Sequence, residues 1–156
     1  MDTGAKLTLL ALVAGGFLMF SNKTARLADQ PRGIRNHNPG NIRHGDNWQG
    51  MADNQRDPSF ITFIQPEYGI RAMARILQSY KRRGVDTVEE IISTWAPPVE
   101  NDTGSYINHV AHKLGVSPDT PIEQRDYPEL IAAIIHHENG VQPYSHSVIS
   151  AGVAMA

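Results

Sequence analysis

The chain of 156 residues contains no cysteine. That excludes a disulfide framework and any thiolate-ligated metal site, and it is compatible with every redox compartment. Net charge is nearly absent too, at −2, but it is unevenly spread: residues 26–83 carry ten Lys or Arg against five Asp or Glu, and residues 84–156 carry two against ten. The basic half could attract an anionic polymer or form a solvated basic face. No aromatic residues interleave with a basic run as nucleic-acid modules require, so nucleic acid is not expected as a partner. Internal repeats and low-complexity tracts are lacking. A chain of this length fits one compact domain and an appendage and leaves no room for a second catalytic domain.

One long apolar run is present, at the N-terminus. In "KLTLLALVAGGFLMFSNK" the fourteen residues Leu7 to Phe20 are uncharged and mostly apolar, between Lys6 and Lys23. A helix through the residues between those lysines rises about 24 Å, and snorkelling lysines make up the difference to a hydrocarbon core of about 30 Å. We expect a retained membrane anchor over residues 1–23. The alternative is a cleavable secretion signal, although Ala25 and Ala28 do not have the A-x-A spacing that cleavage favours. Residues 24–31, polar and ending in Pro31, are expected to form a linker, which leaves the domain at 32–150 and a tail at 151–156.

The domain opens on "RGIRNHNPGNIRHGDNWQG", residues 32–50, whose Gly, Asn, Pro and Asp predict a structured loop. "SFITFI", residues 59–64, is β-branched and aromatic and predicts a strand paired with residues 41–44 or 48–51. Four helices are expected after it. The first runs from Pro66 to Gly84, with Gly69, Met73, Ile76, Leu77 and Tyr80 at helical spacing. Another starts at Thr87, boxed by Glu90, and ends before Pro97-Pro98. A third runs from Asp102 to Gly115 and buries Tyr106, Ile107, Val110 and Leu114; the last starts at Asp126, boxed by Glu129, and ends at Gly140. The expected fold class is mainly α, of the α+β kind.

In the last helix Tyr127, Leu130, Ile131, Ile134 and Ile135 form one apolar stripe, and the next position on it is Glu138. His136 is expected nearly opposite, in solvent, with His137 at the flank. A carboxylate on an apolar face, in a last turn where carbonyls carry partial negative charge, is destabilised when ionised, and this is the condition a general acid near neutral pH needs. The same spacing also allows Glu138 to bend into water as the frayed end of an ordinary helix.

"IAAIIHHENGVQPYS" resembles the "I-x-A-x-I-x-x-E-S-G-x-x-P-x-x-S" segment of lytic transglycosylases, with Asn139 where that family has Ser. There the glutamate closing a buried helix is the sole catalytic residue, which implies that role for Glu138. Across residues 32–147, "GIRNHNPGNIR", "GIRAMARILQSY" and "WAPPVENDTGSYINHVAHKLG" are together similar to short phage and prophage virion proteins labelled structural or lytic. "NHNPGNIR" also resembles the "NNLFGIK" segment of glucosaminidases, which have a lysozyme-like fold. In the usual transglycosylase order the glutamate helix comes first, and here it comes last. The implied fold is therefore a circularly permuted lysozyme-like domain, which keeps its spatial arrangement if the domain's ends lie close together.

A glycan along Glu138 needs amide and aromatic partners. Asn38 and Asn41 from the loop, Glu100, Asn101 and Tyr106 from "ENDTGSY", and Tyr144 are the candidates, and Asn38 and Asn41 have a structural alternative in holding the loop's own turns. A hydrolytic muramidase would want a second carboxylate, from Glu100, Asp102 or Glu67. His109, His112, His136 and His137 raise a zinc peptidase, although no H-E-x-x-H run is present. A non-catalytic, membrane-anchored virion protein is a further class. The reading carried forward is a lytic transglycosylase acting on peptidoglycan between N-acetylmuramic acid and N-acetylglucosamine, without metal or cofactor. It would be anchored in a viral or bacterial inner membrane with its domain facing the cell wall, possible neighbours being other virion proteins.

Overall fold

The computed structural model describes residues 28–99 and 101–156. The expected anchor, the linker up to residue 27, and Glu100 lie outside the described residues. Arg32–Ala156 forms one compact unit, divided from Met1–Pro31. Among the described residues the unit is mainly helical: α1 Arg32–Arg35, α2 Pro66–Arg82, α3 Val88–Trp95, α4 Thr103–Leu114, α5 Tyr127–Asn139 and α6 His146–Ala154, with a 3-10 turn, Gln124–Asp126, leading into α5. None of these helices is long and apolar enough to cross a membrane.

Local chemistry sets most of the helix ends. Pro66 stands in the first turn of α2, where its missing N–H costs nothing. Thr87 Oγ1 accepts from Glu90 N at 3.3 Å while Glu90 Oε2 accepts from Thr87 N at 3.2 Å, which starts α3; losing such a cap costs about 1 kcal/mol. Asp102 caps α4 by accepting from Ser105 N at 3.2 Å. The box expected at Asp126 and Glu129 is not made. Asp126 already has helical backbone angles, and its Oδ2 turns back to accept from Glu123 N at 2.9 Å, closing the 3-10 turn instead.

Helix α5 is the hub, packed by α1, α2, α4 and α6. Every member of its expected apolar stripe is buried, and Ala133 is buried beside them because neighbours cover more than one face. Each large side chain so buried is worth about 1.5–3 kcal/mol. Helix α6 was not anticipated. Ser145 Oγ accepts from Val148 N at 3.3 Å to start it, and at Gly152 it lies so close to α2 that a Cβ would stand 2.6 Å from Ile70 Cγ2. Most of the supposed tail, 151–154, is thus packed helix.

The expected strand is reduced to single antiparallel bridges, Arg43 with Phe60 and Met51 with Phe63. Both proposed partners are used: Ile61 N donates to Ile42 O at 3.0 Å and Ala52 N to Thr62 O at 2.9 Å, and side-chain amides add to these few backbone bonds. Gln55 Oε1 accepts from Thr62 N at 2.8 Å and its Nε2 donates to Thr62 O at 2.8 Å, as a neighbouring strand would. Asn38 does the same for Ile42 and Ile61 on the other side.

The loop meets α2 where there is no side chain. A Cβ on Gly69 would lie 2.1 Å from His37 O, a backbone atom that cannot swing away. Gly69→Ala should lower Tm by about 5 °C or more, given an overpacking cost of roughly 1–3 kcal/mol. Gly104→Ala, whose Cβ meets nothing closer than Asp102 Oδ1 at 3.9 Å, should hold or raise Tm through helix propensity. Thermal melts of both check this; equal losses would show that the close approach at Gly69 is not what matters.

Candidate active site

Glu138 stands in the last turn of α5, half-buried, and both its oxygens are held. Tyr106 Oη donates to Oε1 at 2.9 Å, and Asn41 Nδ2 donates to Oε2 at 3.1 Å. Tyr106 projects from α4 and is itself buried. Burial first, then the neighbouring Glu138 charge and their hydrogen bond, push its phenol far above the ordinary range, so it stays a donor. Gly140 takes the left-handed conformation at φ 70° that ends α5 right after Glu138 and Asn139. The apolar wall that the stripe suggested for Glu138 is therefore replaced by two aimed donors.

Asn41 owes its position to the loop. Its φ of 51° is left-handed, and its N donates to Asn38 O at 2.9 Å. Asn139 Nδ2, one residue past the acid, donates to Pro39 O and to Ile135 O, both at 2.9 Å, and so fastens the loop to α5. A Cβ on Gly33 would lie 2.6 Å from Asn139 Oδ1 and 2.8 Å from Asn41 Oδ1, so α1 can cover these amides only with glycine there.

Further out, Asp57 fixes the start of the loop. It accepts from the Arg32 guanidinium, from Asn36 Nδ2 at 2.8 Å and from the backbone N–H of Ser59 and Phe60, and these bonds, the Arg32 one foremost, hold its carboxyl well below the usual range. Arg32 also lies over the Phe60 ring, 4.6 Å from its centre.

Of the sequence candidates, Glu138, Asn41 and Tyr106 come together. Asn38 does not join them: it is fully buried and spends its amide on Ile42 and Ile61, so it shapes the loop and offers no face to a ligand. Asn101 is exposed and donates to Pro97 O at 3.3 Å. Tyr144 packs against the core with its hydroxyl buried, and burial, then the charge of Glu67, pushes that hydroxyl up to about 12. Asp102 is engaged as the α4 cap, and its carboxyl is lowered by the bonds from Ser105.

Sequence reasoning missed Asn139, Gly33 and the histidines' real positions. His137 stacks on Tyr106, ring centres 3.6 Å apart and planes within 10°. His136, expected in solvent, is half-buried with Nδ1 3.3 Å from His109 Nε2. The adjacency of a histidine doublet to the acid was the available signal. Among the described residues no three His, Asp or Glu side chains converge as metal ligands do.

Over 153 residues the chain is 40% identical to "Protein P5" of Pseudoalteromonas phage PM2, covering 95% of this chain and 94% of the relative. The chain belongs to the protein P5 family. This agrees with the phage character of the sequence motifs, and no family model matches. The relative's name states no activity, so any chemistry has to be argued from the site.

Two histidines beside the site should make the unit acid-sensitive. His109 is held below the ordinary 6.5 by burial and then by the neighbouring histidines and Lys113; His137 is held below it by burial, opposed by Glu138. Bases with lowered folded pKa values take up protons more readily when unfolded. Their contribution is complete above about pH 6.5 and falls away as pH drops toward the folded values. Asp57, a lowered acid, keeps its contribution until far more acid conditions. Tm should therefore fall between about pH 7.5 and pH 5, and His109→Gln should flatten that fall. Calorimetry across this range checks it, and a Tm independent of pH would count against it.

Proposed function

We propose that the protein cleaves bacterial peptidoglycan as a lytic transglycosylase, with a lysozyme-like site in circularly permuted order. The observation that carries this reading is one carboxylate, Glu138, closing a buried helix with a donor on each oxygen. As an acid, Glu138 would give its proton to the glycosidic oxygen while the bond from that oxygen to C1 of N-acetylmuramic acid breaks. Tyr106 and Asn41 then meet the negative charge left on the carboxylate, without having to reorganise. In the second step the carboxylate takes the proton of the same sugar's C6 hydroxyl as O6 bonds to C1. The product ends in 1,6-anhydromuramic acid, and Glu138 is an acid again.

Glu138→Gln should reduce wall cleavage by roughly 10²- to 10⁴-fold or more and leave Tm within a few degrees. Mass spectrometry of the wild-type digest should find anhydro ends. Reducing ends would favour a hydrolytic muramidase with Glu100 as the first residue to mutate. Chelator-sensitive cutting of peptide stems would favour a zinc peptidase. Indifference to residue 138 would indicate a non-catalytic virion protein.

A tether through residues 1–23 is part of the same proposal, and what supports it is the apolar run between Lys6 and Lys23. It would hold the enzyme at a viral or bacterial inner membrane, where the wall is near and the local concentration high. A form starting at Ala28 keeps the whole compact unit. It should be soluble and cleave wall fragments at the full rate, whereas the intact protein should sediment with membranes and resist high-salt extraction. A mature protein beginning after Ala28 would instead make the segment a secretion signal.

A further inference from the structure

Asn41, the residue that donates to Glu138, also lines an open cleft of about 240 Å³, walled by the loop at Asn41 and Arg43, by Ile76 and Tyr80 one turn apart on α2, and by Trp95 at the end of α3. We infer that this cleft holds a hexosamine ring of the glycan strand, stacked on Trp95, next to the bond that Glu138 would cleave. The inference rests on the glycan reading above and adds the place where the strand is gripped.

Two observations give the cleft this chemistry. First, Asn41 belongs to both places: it lines the cleft and its amide binds Glu138, so a sugar in the cleft is one residue away from the acid. Second, the walls match a pyranose. One face of a hexosamine is a patch of C–H bonds, slightly positive, and it suits the negative face of an indole; its rim of hydroxyl and acetamido groups needs donors and acceptors. Trp95 is half-buried, packed against the main core, and its indole N–H makes no hydrogen bond among the described residues. The ring is also fixed in place. A Cβ on Gly40 would stand 3.0 Å from Trp95 Cζ2, so the loop backbone presses on the ring edge and a stacking surface is ready before any ligand arrives. Asn41 and Arg43 line the mouth. The larger hollow around Lys113, Glu129 and His136 has no Trp, Tyr or Phe side chain in its lining and no residue that bonds Glu138.

The chain has only two tryptophans, and Trp48 belongs to a separate cluster with Ile61, Phe63 and Ala72, so in a Trp48→Phe background fluorescence reports on Trp95 alone. The experiment titrates chitotetraose into full-length Glu138→Gln protein. A saturable change in emission should survive in an added Trp48→Phe variant and vanish in Trp95→Phe. By calorimetry, Trp95→Leu should weaken Kd about tenfold. Ile76→Phe, which fills the cleft while leaving Trp95 in place, should weaken it similarly and guards against a folding defect in the first variant. No binding to the Glu138→Gln parent, a signal that follows Trp48, or parental Kd in both Trp95→Leu and Ile76→Phe would overturn the inference. Wall cleavage by the wild type is read separately. Cleavage with an empty cleft would sink this inference alone; chitotetraose seated on Trp95 in a protein that leaves walls intact would uphold it and sink the transglycosylase reading.

Discussion

The side-chain amide of Asn38 is sealed from solvent and bonds in three directions, donating to Ile42 O and Ile61 O and accepting from Ile42 N. A buried amide left unpaired would cost about 1–3 kcal/mol, so the loop has little choice but to close around it. That closure turns residues 36–44 back toward α5, gives Asn41 its left-handed backbone, and aims its amide at Glu138. Below it, Gly69 lets α2 come against His37 O, and at the other end Asp57 anchors Arg32 and Asn36. The site is a by-product of how this loop is packed.

Rigidity is the consequence on which the proposed chemistry depends. Glu138 rides on a helix enclosed by four others, so neither its axis nor its rotation is free, and its two oxygens are tied to different parts of the chain, α4 and the loop. Asn139 adds a second tie between the same helix and the same loop. A general acid is useful only when it is held within a fraction of an ångström of its target, and such precision comes from locked supporting residues. Here the support is polar, the Tyr106 phenol on one oxygen and the Asn41 amide on the other, and the loop asparagines Asn38 and Asn41 supply its share.

Helices were legible in the sequence because their signals are local. Thr87 with Glu90, Asp102 before Ser105, and Gly115 and Gly140 after the last periodic residue each mark an end by chemistry within four residues. The stripe that put Glu138 inward was likewise readable from periodicity. What could not be read depends on partners far along the chain. Asn38 and Asn41 look alike in "NHNPGN", yet one is spent on Ile61, 23 residues on, and the other on Glu138, 97 residues on. The bridged stretch around Phe60 and Phe63 has strand composition, and its short backbone pairings on either side are supplemented by the Gln55 and Asn38 amides, whose placement is set far along the chain. Helix α6 hid because Ala, Gly and Ser give it a weak apolar face, with Ser145 as its one clear sign.

The uneven charge of the sequence takes on a structural meaning in the fold. A basic first half suggested attraction to an anionic polymer, but many of those cations have work inside the unit. Arg71 Nε donates to Met155 O at 3.0 Å and Arg75 to Ala156 O at 2.9 Å, so two guanidiniums from α2 meet carbonyls at the C-terminal end of α6, where positive charge is favoured. Lys81 binds Glu123 and Ile122 O, Arg83 lies over Tyr80, and Arg32 and Arg43 lie over Phe60. Lys81 of α2 joins the basic segment to the acidic one through Glu123. Asp57 and Glu123 offset the charges of Arg32 and Lys81, while the guanidiniums bound to carbonyls keep theirs but are held in fixed places. Recognition of a wall strand would come from shape and stacking near Glu138, where Asn41 joins the carboxylate to the aromatic wall of the cleft.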